Sequence, residues 1–269
     1  MTAVTPATPA TPGTPGATAA RGLTAEAVFI ERSLRQSLRD GESLLMAILL
    51  PVLLMVMFTQ VFGGAIDPGG GYVDYIVPGI ILLCAGFGAA STAVYVAGDM
   101  RTGIIDRIRT MPLRASAVLT GHVVASLLRN LLATGIVIVV AVLLGFRPAG
   151  SALEWAAVVG LVALYILAIT YLFAAIGLAA GSPEAANGYG FILLFLPYIS
   201  SAFVPVDTMP AWLQPVARHQ PVTPIVETVR ALLEGRGLTP DAGWAVSWCL
   251  LILVGAVAWG GALFRRTRR

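Results

Sequence analysis

Long apolar runs constrain this chain more than any other sequence feature. A helix needs about 20 apolar residues to cross the ~30 Å hydrocarbon core of a bilayer. Six runs of about that length follow one another, and they predict six transmembrane helices at 43–62, 75–97, 118–146, 155–180, 189–204 and 244–264. Only 12% of the 269 residues are charged, against about 25% in soluble domains. The sequence therefore predicts an all-α polytopic membrane protein.

The fifth run is the shortest, and it contains Pro197, which we expect to kink the helix. Residues 42–269 form the predicted six-span domain. Residues 1–22 are rich in Thr, Pro and Ala, a composition that buries too little apolar surface to offset the entropy of ordering, so they are predicted to be a disordered tail.

Residues 23–41 have the pattern of a basic amphipathic helix. Apolar residues recur every three or four positions from Leu23 to Leu38, while Arg32, Arg35 and Arg39 fall on the opposite face. Such a helix just before a span is typical of one that lies in the lipid headgroup plane. A surface helix packed on protein is the alternative.

Arginine placement predicts the orientation, since positive residues near span ends stay on the cytoplasmic side. Twelve arginines lie on one predicted side: Arg21, Arg32, Arg35, Arg39, Arg101, Arg107, Arg109, Arg114, Arg265, Arg266, Arg268 and Arg269. The opposite side has fewer arginines than acidic residues. Both termini are therefore predicted to be cytoplasmic, which an even number of spans permits.

The segment 98–114 is a dense charged run between the second and third apolar runs. The apolar residues of one helix face are Ile104, Ile105, Ile108 and Met111. The residues that can contact a partner are Asp106, Arg107 and Arg109. Pro112 is expected to end this short helix before the third span. The alternative is a solvated charge run that only fixes the topology.

Arg129 is the one charge inside a predicted span. Residues 130–146 can nearly cross the membrane alone, so Arg129 can sit at the inner boundary and extend toward the headgroups. The alternative is a role in gating or in contacting an anionic headgroup. His122 precedes it by about two helical turns and is expected at the same interface.

The stretch 205–243 carries helix signals on the predicted outer side. One short helix is expected at 209–213, capped by Asp207 or Thr208. A second is expected from the N-cap Thr223, with Pro224 as its first residue, to Gly235. This outer pair either covers the mouth of a translocation path or is a packed loop.

The sequence lacks residues that several classes of protein function require. All basic residues are Arg and none is Lys, which excludes a GxxxxGK[ST] phosphate loop. Metal sites are not predicted, and Cys84 and Cys249 are expected to be buried thiols. A secondary transporter would need more intramembrane ionisable groups, and a membrane enzyme more clustered His and carboxylates. The arginines beside apolar spans favour lipid over nucleic acid as their partner.

Three stretches resemble the membrane subunits of type-2 ABC exporters, especially the daunorubicin/doxorubicin-resistance permease branch. They are 99–112 (DMRTGIIDRIRTMP), 181–185 (GSPEA) and 199–214 (ISSAFVPVDTMPAWLQ), the last continuing to Pro224 and Arg230. The outer motif residues are Phe203, Pro205, Met209, Trp212, Leu213 and Pro224. With the six-span layout, the resemblance covers nearly all of the chain after Leu23.

This resemblance implies that 98–114 holds a cytoplasmic coupling helix that docks on a separate ABC ATPase. The implied coupling residues are Asp99, Arg101, Gly103, Ile104, Asp106, Arg107, Arg109 and Pro112. It also implies two permease and two ATPase copies in the cell (inner) membrane, with ATP and Mg bound by the ATPase and no cofactor on this chain. Amphipathic drugs, antibiotics or lipids would move between the permease copies, along spans one, two and five.

Overall fold

The computed structural model describes residues 41–66, 71–102 and 116–266. Every regular element in these ranges is a helix. Five helices among the described residues are long and apolar enough to cross a membrane. The prediction of an all-helical chain with several apolar spans is therefore confirmed. The expected tail, nearly all of the amphipathic helix, and residues 103–115 lie outside the described residues.

The first apolar span is built from three helical stretches that run on without a break. Helix α1 (Gly41–Val56) continues into a π-helical stretch (Met57–Phe62) and then into α2 (Gly63–Ile66). The Thr59 hydroxyl donates a 2.8 Å hydrogen bond to the Met55 carbonyl, one turn back. Such bonds compete with the backbone ladder, and this one lies where the helix widens.

The other helices follow at short intervals. They are α3 (Tyr72–Arg101), α4 (Ser116–Leu143), α5 (Ala152–Ala179), α6 (Pro183–Leu193), α7 (Gln214–His219), α8 (Val222–Leu233) and α9 (Asp241–Arg266). We call the end of the bundle at Arg101 the inner end and the end at Tyr72 the outer end, after the predicted orientation.

Helix α3 is the centre of the bundle, with 72% of its apolar window buried, against 17% for the first span and for α9. Small residues allow its neighbours to come close. A Cβ on Gly88 of α3 would lie 1.6 Å from the Asn130 Oδ1 of α4. A Cβ on Gly177 of α5 would lie 2.5 Å from the Ala93 carbonyl oxygen of α3. Neither position leaves room for a side chain.

Helix α5 begins with a capping box that matches its sequence. Ser151 precedes the helix in an extended conformation, and its hydroxyl accepts a hydrogen bond from the Glu154 backbone N–H. In return the Ser151 N–H donates to the Glu154 carboxylate at 2.7 Å. The same carboxylate accepts the Gly237 N–H at 3.0 Å, which ties the start of α5 to the outer loop after α8. The backbone N–H groups of Ser151 and Glu154 at the helix start, and that of Gly237 in the loop, therefore all have hydrogen-bond acceptors.

The predicted fifth span, 189–204, is not one continuous helix. Helix α6 ends at Leu193, a 3₁₀ turn covers Leu196–Ile199, and non-helical turns follow. Pro197 lies in the 3₁₀ turn, so the expected kink is a break. We call 183–204 the broken segment.

The broken segment runs antiparallel to α3. Its start approaches the inner end, where Glu184 lies 4.0 Å from Arg101. Farther along, Leu194 lies against Gly86 and Ala202 against Gly79. Its last residues reach the outer end, where the Phe203 carbonyl accepts the Tyr72 hydroxyl at 2.7 Å. The broken segment therefore extends along the length of the central helix.

The outer pair of helices is present with different boundaries from those predicted. Residues 209–213 form turns, and the first helix, α7, begins at Gln214, because Pro210 and Pro215 favour a turn and then a helix start. The second, α8, begins at Val222 rather than after an N-cap at Thr223. The Thr223 hydroxyl instead donates to the Ala217 carbonyl on α7 at 2.5 Å. Gly235 ends α8 at φ 72°, as its sequence position predicts.

Candidate functional site

The inner end of α3 contains a buried, hydrogen-bonded Asp–His pair that joins it to α4. The Nε2–H of His122 donates to Oδ2 of Asp99 at 2.9 Å, and the two residues are 8% and 9% exposed. Asp99, one of the implied coupling residues, therefore has its carboxylate turned toward α4 rather than toward the surface of the described bundle. Because α3 turns about 100° per residue, Asp99 faces α4 while Arg101, two positions on, faces outward.

Arg101 is exposed at the inner end of α3. Its side chain is 68% exposed, and its Nη1 lies 4.0 Å from Oε1 of Glu184, in the first turn of α6. The Ser182 hydroxyl caps α6 by accepting the Ala185 N–H at 3.2 Å. The GSPEA stretch thus starts a helix at the inner end, close to the last residue of α3. The coupling residues Gly103, Ile104, Asp106, Arg107, Arg109 and Pro112 lie outside the described residues.

Helix α4 turns a row of polar residues toward α3 and α5, which we call the α4 polar stripe: His122, Ser126, Arg129 and Asn130. These positions recur at helical spacing and are all buried. Asn130 Nδ2 donates to the Ser126 hydroxyl at 3.1 Å. That hydroxyl lies 3.4 Å from the Thr170 hydroxyl of α5. The stripe extends from the inner end to the middle of the bundle.

Arg129 is 4% exposed and lies inside the bundle, so the expectation that it extends to the headgroups is wrong. Its Nη2 donates to the Gly88 carbonyl at 2.8 Å and to the Ser91 hydroxyl at 2.6 Å. Its guanidinium also lies 5.8 Å from the centre of the Tyr95 ring. A buried charge requires such partners. Sequence hydropathy missed this arrangement because it carries no information on which face of α4 meets α3.

The outer end is held by Arg230, whose role the sequence did not predict. Arg230 is 3% exposed, and its guanidinium donates to the Tyr75 carbonyl at 3.0 and 3.1 Å and to the Ser201 carbonyl at 2.8 Å. It also pairs with Glu227 at 2.6 Å and stacks 3.8 Å from the Tyr75 ring centre. We call this set the outer clamp. It joins α8, α3 and the broken segment.

The outer motif divides into buried and exposed residues. Phe203 and Pro224 are buried, and Phe203 stacks on Phe58 with ring centres 4.9 Å apart. Trp212 is 75% exposed. Pro205 and Met209 flank a 3₁₀ turn, and Leu213 directly precedes α7. The motif thus fixes a turn at the outer end and presents Trp212 at its surface.

Aromatic rings line one side of the broken segment and continue onto the first span. The neighbouring ring centres along this aromatic ladder are 4.9 to 6.1 Å apart, in the order Phe191, Phe195, Tyr198, Phe203, Phe58 and Phe62. Phe191, Phe195, Tyr198 and Phe62 are exposed. Rings at this spacing offer faces and edges on which a planar apolar molecule can stack.

The described residues contain no group of three or more His, Cys, Asp or Glu that could hold a metal ion. Cys84 and Cys249 are buried free thiols, as predicted. The polar chemistry of the described bundle therefore lies in the Asp99–His122 pair, the α4 polar stripe and the outer clamp.

Comparison with known proteins assigns this chain to a family. Residues 25–233 match the ABC-2 type transporter family. The chain is 30% identical over 214 residues to the daunorubicin resistance ABC transporter permease protein DrrB1 of Streptomyces coeruleorubidus, covering 78% of this chain and 74% of that protein.

Two further relatives are more distant. The probable doxorubicin resistance ABC transporter permease protein DrrC of Mycobacterium tuberculosis is 26% identical, with 88% of each chain covered. The putative transport permease ycf38 of Pyropia yezoensis is 25% identical, covering 86% of this chain and 78% of that protein. The matched region includes the described helices from α1 to α8, together with the charged segment, and the chain belongs to the ABC-2 type transporter family of membrane permeases.

Proposed function

We propose that this chain is the transmembrane subunit of an ATP-driven exporter and that a separate ATPase supplies its energy. The observation that carries the proposal is the family match over residues 25–233, which includes the charged segment 98–114. The chain has no lysine, and a phosphate loop of the common type requires one. ATP and Mg²⁺ would therefore be held by the partner, and this chain would have no catalytic role in hydrolysis.

We propose that the docking surface for the ATPase lies at the inner end. Helix α3 ends there at Arg101, just before segment 103–115 in sequence, and the exposed side chains of Arg101 and Glu184 lie at that end. Arg107 and Arg109 are the residues we expect to contact the ATPase. Asp99 is not among them, because its carboxylate is buried against His122.

Six membrane crossings are proposed, with both termini in the cytoplasm and the broken segment as the fifth crossing. Its contacts with α3 from Glu184 to Phe203 support this placement. Non-helical backbone is tolerated at membrane depth where protein buries it. The Ser201 carbonyl, for example, accepts bonds from Arg230 and from the Tyr75 hydroxyl at 2.8 and 2.9 Å.

The proposed substrates are amphipathic molecules with a planar apolar part. The aromatic ladder supports this class, and the names of two relatives refer to daunorubicin and doxorubicin resistance. We further propose that a second permease copy, identical or paralogous, faces the ladder. The exposed apolar surface of the first span and the broken segment would then line the path, while α3, which is largely buried, would support it.

Co-expression with the candidate ATPase and transport into inside-out vesicles tests the proposal. Daunorubicin, whose fluorescence is quenched on accumulation, is a suitable probe. We expect the two proteins to co-purify and the vesicles to take up the probe only with hydrolysable ATP. Vesicles containing the ATPase alone are the control.

Two results would contradict the proposal. One is a chain that neither binds the ATPase nor supports ATP-dependent uptake of any amphipathic probe. The other is uptake that persists without ATP and stops when the proton gradient is collapsed, which would indicate a secondary transporter.

A further inference from the structure

The Asp99–His122 pair connects the two helices on either side of the charged segment. Asp99 lies in the last turn of α3, and His122 lies in the second turn of α4. Residues 103–115 lie between them in sequence. The bond between Oδ2 and Nε2, 2.9 Å long, therefore closes a loop whose two ends are held at one point.

This pair is not explained by membrane topology. Charges that only set the orientation remain in water, as Arg101 does with 68% of its side chain exposed. Asp99 and His122 are instead withdrawn from solvent, and burying such groups costs free energy that a well-packed apolar pair would not. A hydrogen bond between ionisable groups is directional. It fixes how α3 and α4 are rotated and staggered relative to each other.

A second tie between the same helices lies deeper in the bundle. Arg129 of α4 donates to the Gly88 carbonyl and the Ser91 hydroxyl of α3. Gly88 and Asp99 are about 16 Å apart along α3 at 1.5 Å per residue. Two directional ties at different depths prevent one helix from sliding or rotating on the other. A force applied to the charged segment would then move both helices as one body.

We propose that Asp99 and His122 are positioning residues that transmit movement of segment 103–115 to the α3–α4 pair, without contacting the ATPase themselves. This inference rests on the proposed function, because it requires an ATPase that moves the segment. Arg129 would extend the same connection to the middle of the bundle. Loss of the Asp99–His122 bond should leave docking and hydrolysis intact and reduce the substrate transported per ATP.

The test compares Asp99→Ala, His122→Ala, the double variant and Asp99→Asn in vesicles that contain the ATPase. Three quantities are measured: co-purified ATPase, ATP hydrolysed, and daunorubicin taken up. We expect the amount of co-purified ATPase and the rate of ATP hydrolysis to stay within about twofold of the wild-type values in each alanine variant. The ratio of uptake to hydrolysis should fall about tenfold, the size of effect that loss of one charge-assisted hydrogen bond has on an equilibrium.

Two comparisons separate this role from a merely structural one. The double variant should be no worse than either single variant, since both remove the same bond. Asp99→Asn should keep most of the wild-type ratio of uptake to hydrolysis, because the amide oxygen of Asn can still accept a hydrogen bond from His122 Nε2–H. Leu128→Ala, on an exposed position of α4, is the matched control and should leave the ratio unchanged.

The proposal is overturned if the ratio stays at the wild-type value, if uptake and hydrolysis fall together, or if the two single losses add in the double variant. Failure of the proposed function would look different, because the wild-type protein itself would then show no ATP-dependent uptake.

Discussion

Replacement of Arg230 by Met should destabilise the bundle more than any surface arginine variant. The substitution keeps an unbranched apolar side chain but removes the three donations to the Tyr75 and Ser201 carbonyls, the 2.6 Å pair with Glu227 and the stacking on Tyr75. The outer end would lose the links that hold α8 to α3 and to the broken segment.

The size of the effect follows from these contacts. Each hydrogen bond from a charged donor contributes about 1.5 to 3 kcal/mol, and a desolvated cation–π contact about 2 kcal/mol. These values do not add, because one guanidinium makes all the contacts. Loss of one partner of a buried pair costs about 3 to 5 kcal/mol, and we expect a value in this range. That is a large share of the roughly 5 to 15 kcal/mol that stabilises a typical domain.

Unfolding by sodium dodecyl sulfate in mixed micelles, followed by tryptophan fluorescence, measures this free energy. Arg236→Met is the matched control, since Arg236 pairs with Glu234 but is 54% exposed; it should cost less than about 1 kcal/mol. Arg230→Lys keeps the charge without the planar fork and should fall between the two. Equal losses for Arg230→Met and Arg236→Met would refute the reasoning.

Three further predictions concern other parts of the chain. Gly88→Ala should cost about 1 to 3 kcal/mol in the same unfolding assay, because its Cβ would overlap Asn130, while Gly98→Ala, whose Cβ would meet no atom of another described residue within 4 Å, should be neutral or slightly stabilising. Ser151→Ala removes a helix cap and should cost about 0.5 to 2 kcal/mol; an unchanged unfolding midpoint would argue against the cap. Arg107→Glu combined with Arg109→Glu should abolish ATP-dependent uptake without changing membrane insertion, measured by flotation of the membrane fraction, and unchanged uptake would contradict the docking role.

The sequence predicted the helical spans well because hydropathy and length govern them directly. Gly235 at the end of α8 was also predicted, since helix caps depend on local chemistry. The break in the fifth span was not predicted. Pro197 signals a distortion, but whether a helix kinks or breaks depends on tertiary partners for the freed backbone groups, and Arg230 supplies one such partner from a distant helix.

The site was harder to predict than the fold. Asp99 and Arg101 belong to one charged motif, yet helix rotation directs one inward and the other outward. Arg129 was expected at the interface because the following apolar run is long enough to cross, but Gly88 and Ser91 of α3 provide acceptors deeper in the bundle. Pairings between helices far apart in sequence decide both outcomes, and no local pattern encodes them.

The uneven burial of the spans has a consequence for protein engineering. Substitutions along α3 change contacts on nearly every side, so few of them should yield a functional protein. The first span and the exposed positions of the broken segment carry their rings on a surface that can vary without repacking the bundle. A mutational library that aims to alter which compounds are recognised should therefore leave α3 constant and diversify Phe191, Phe195 and Tyr198 together with Phe62.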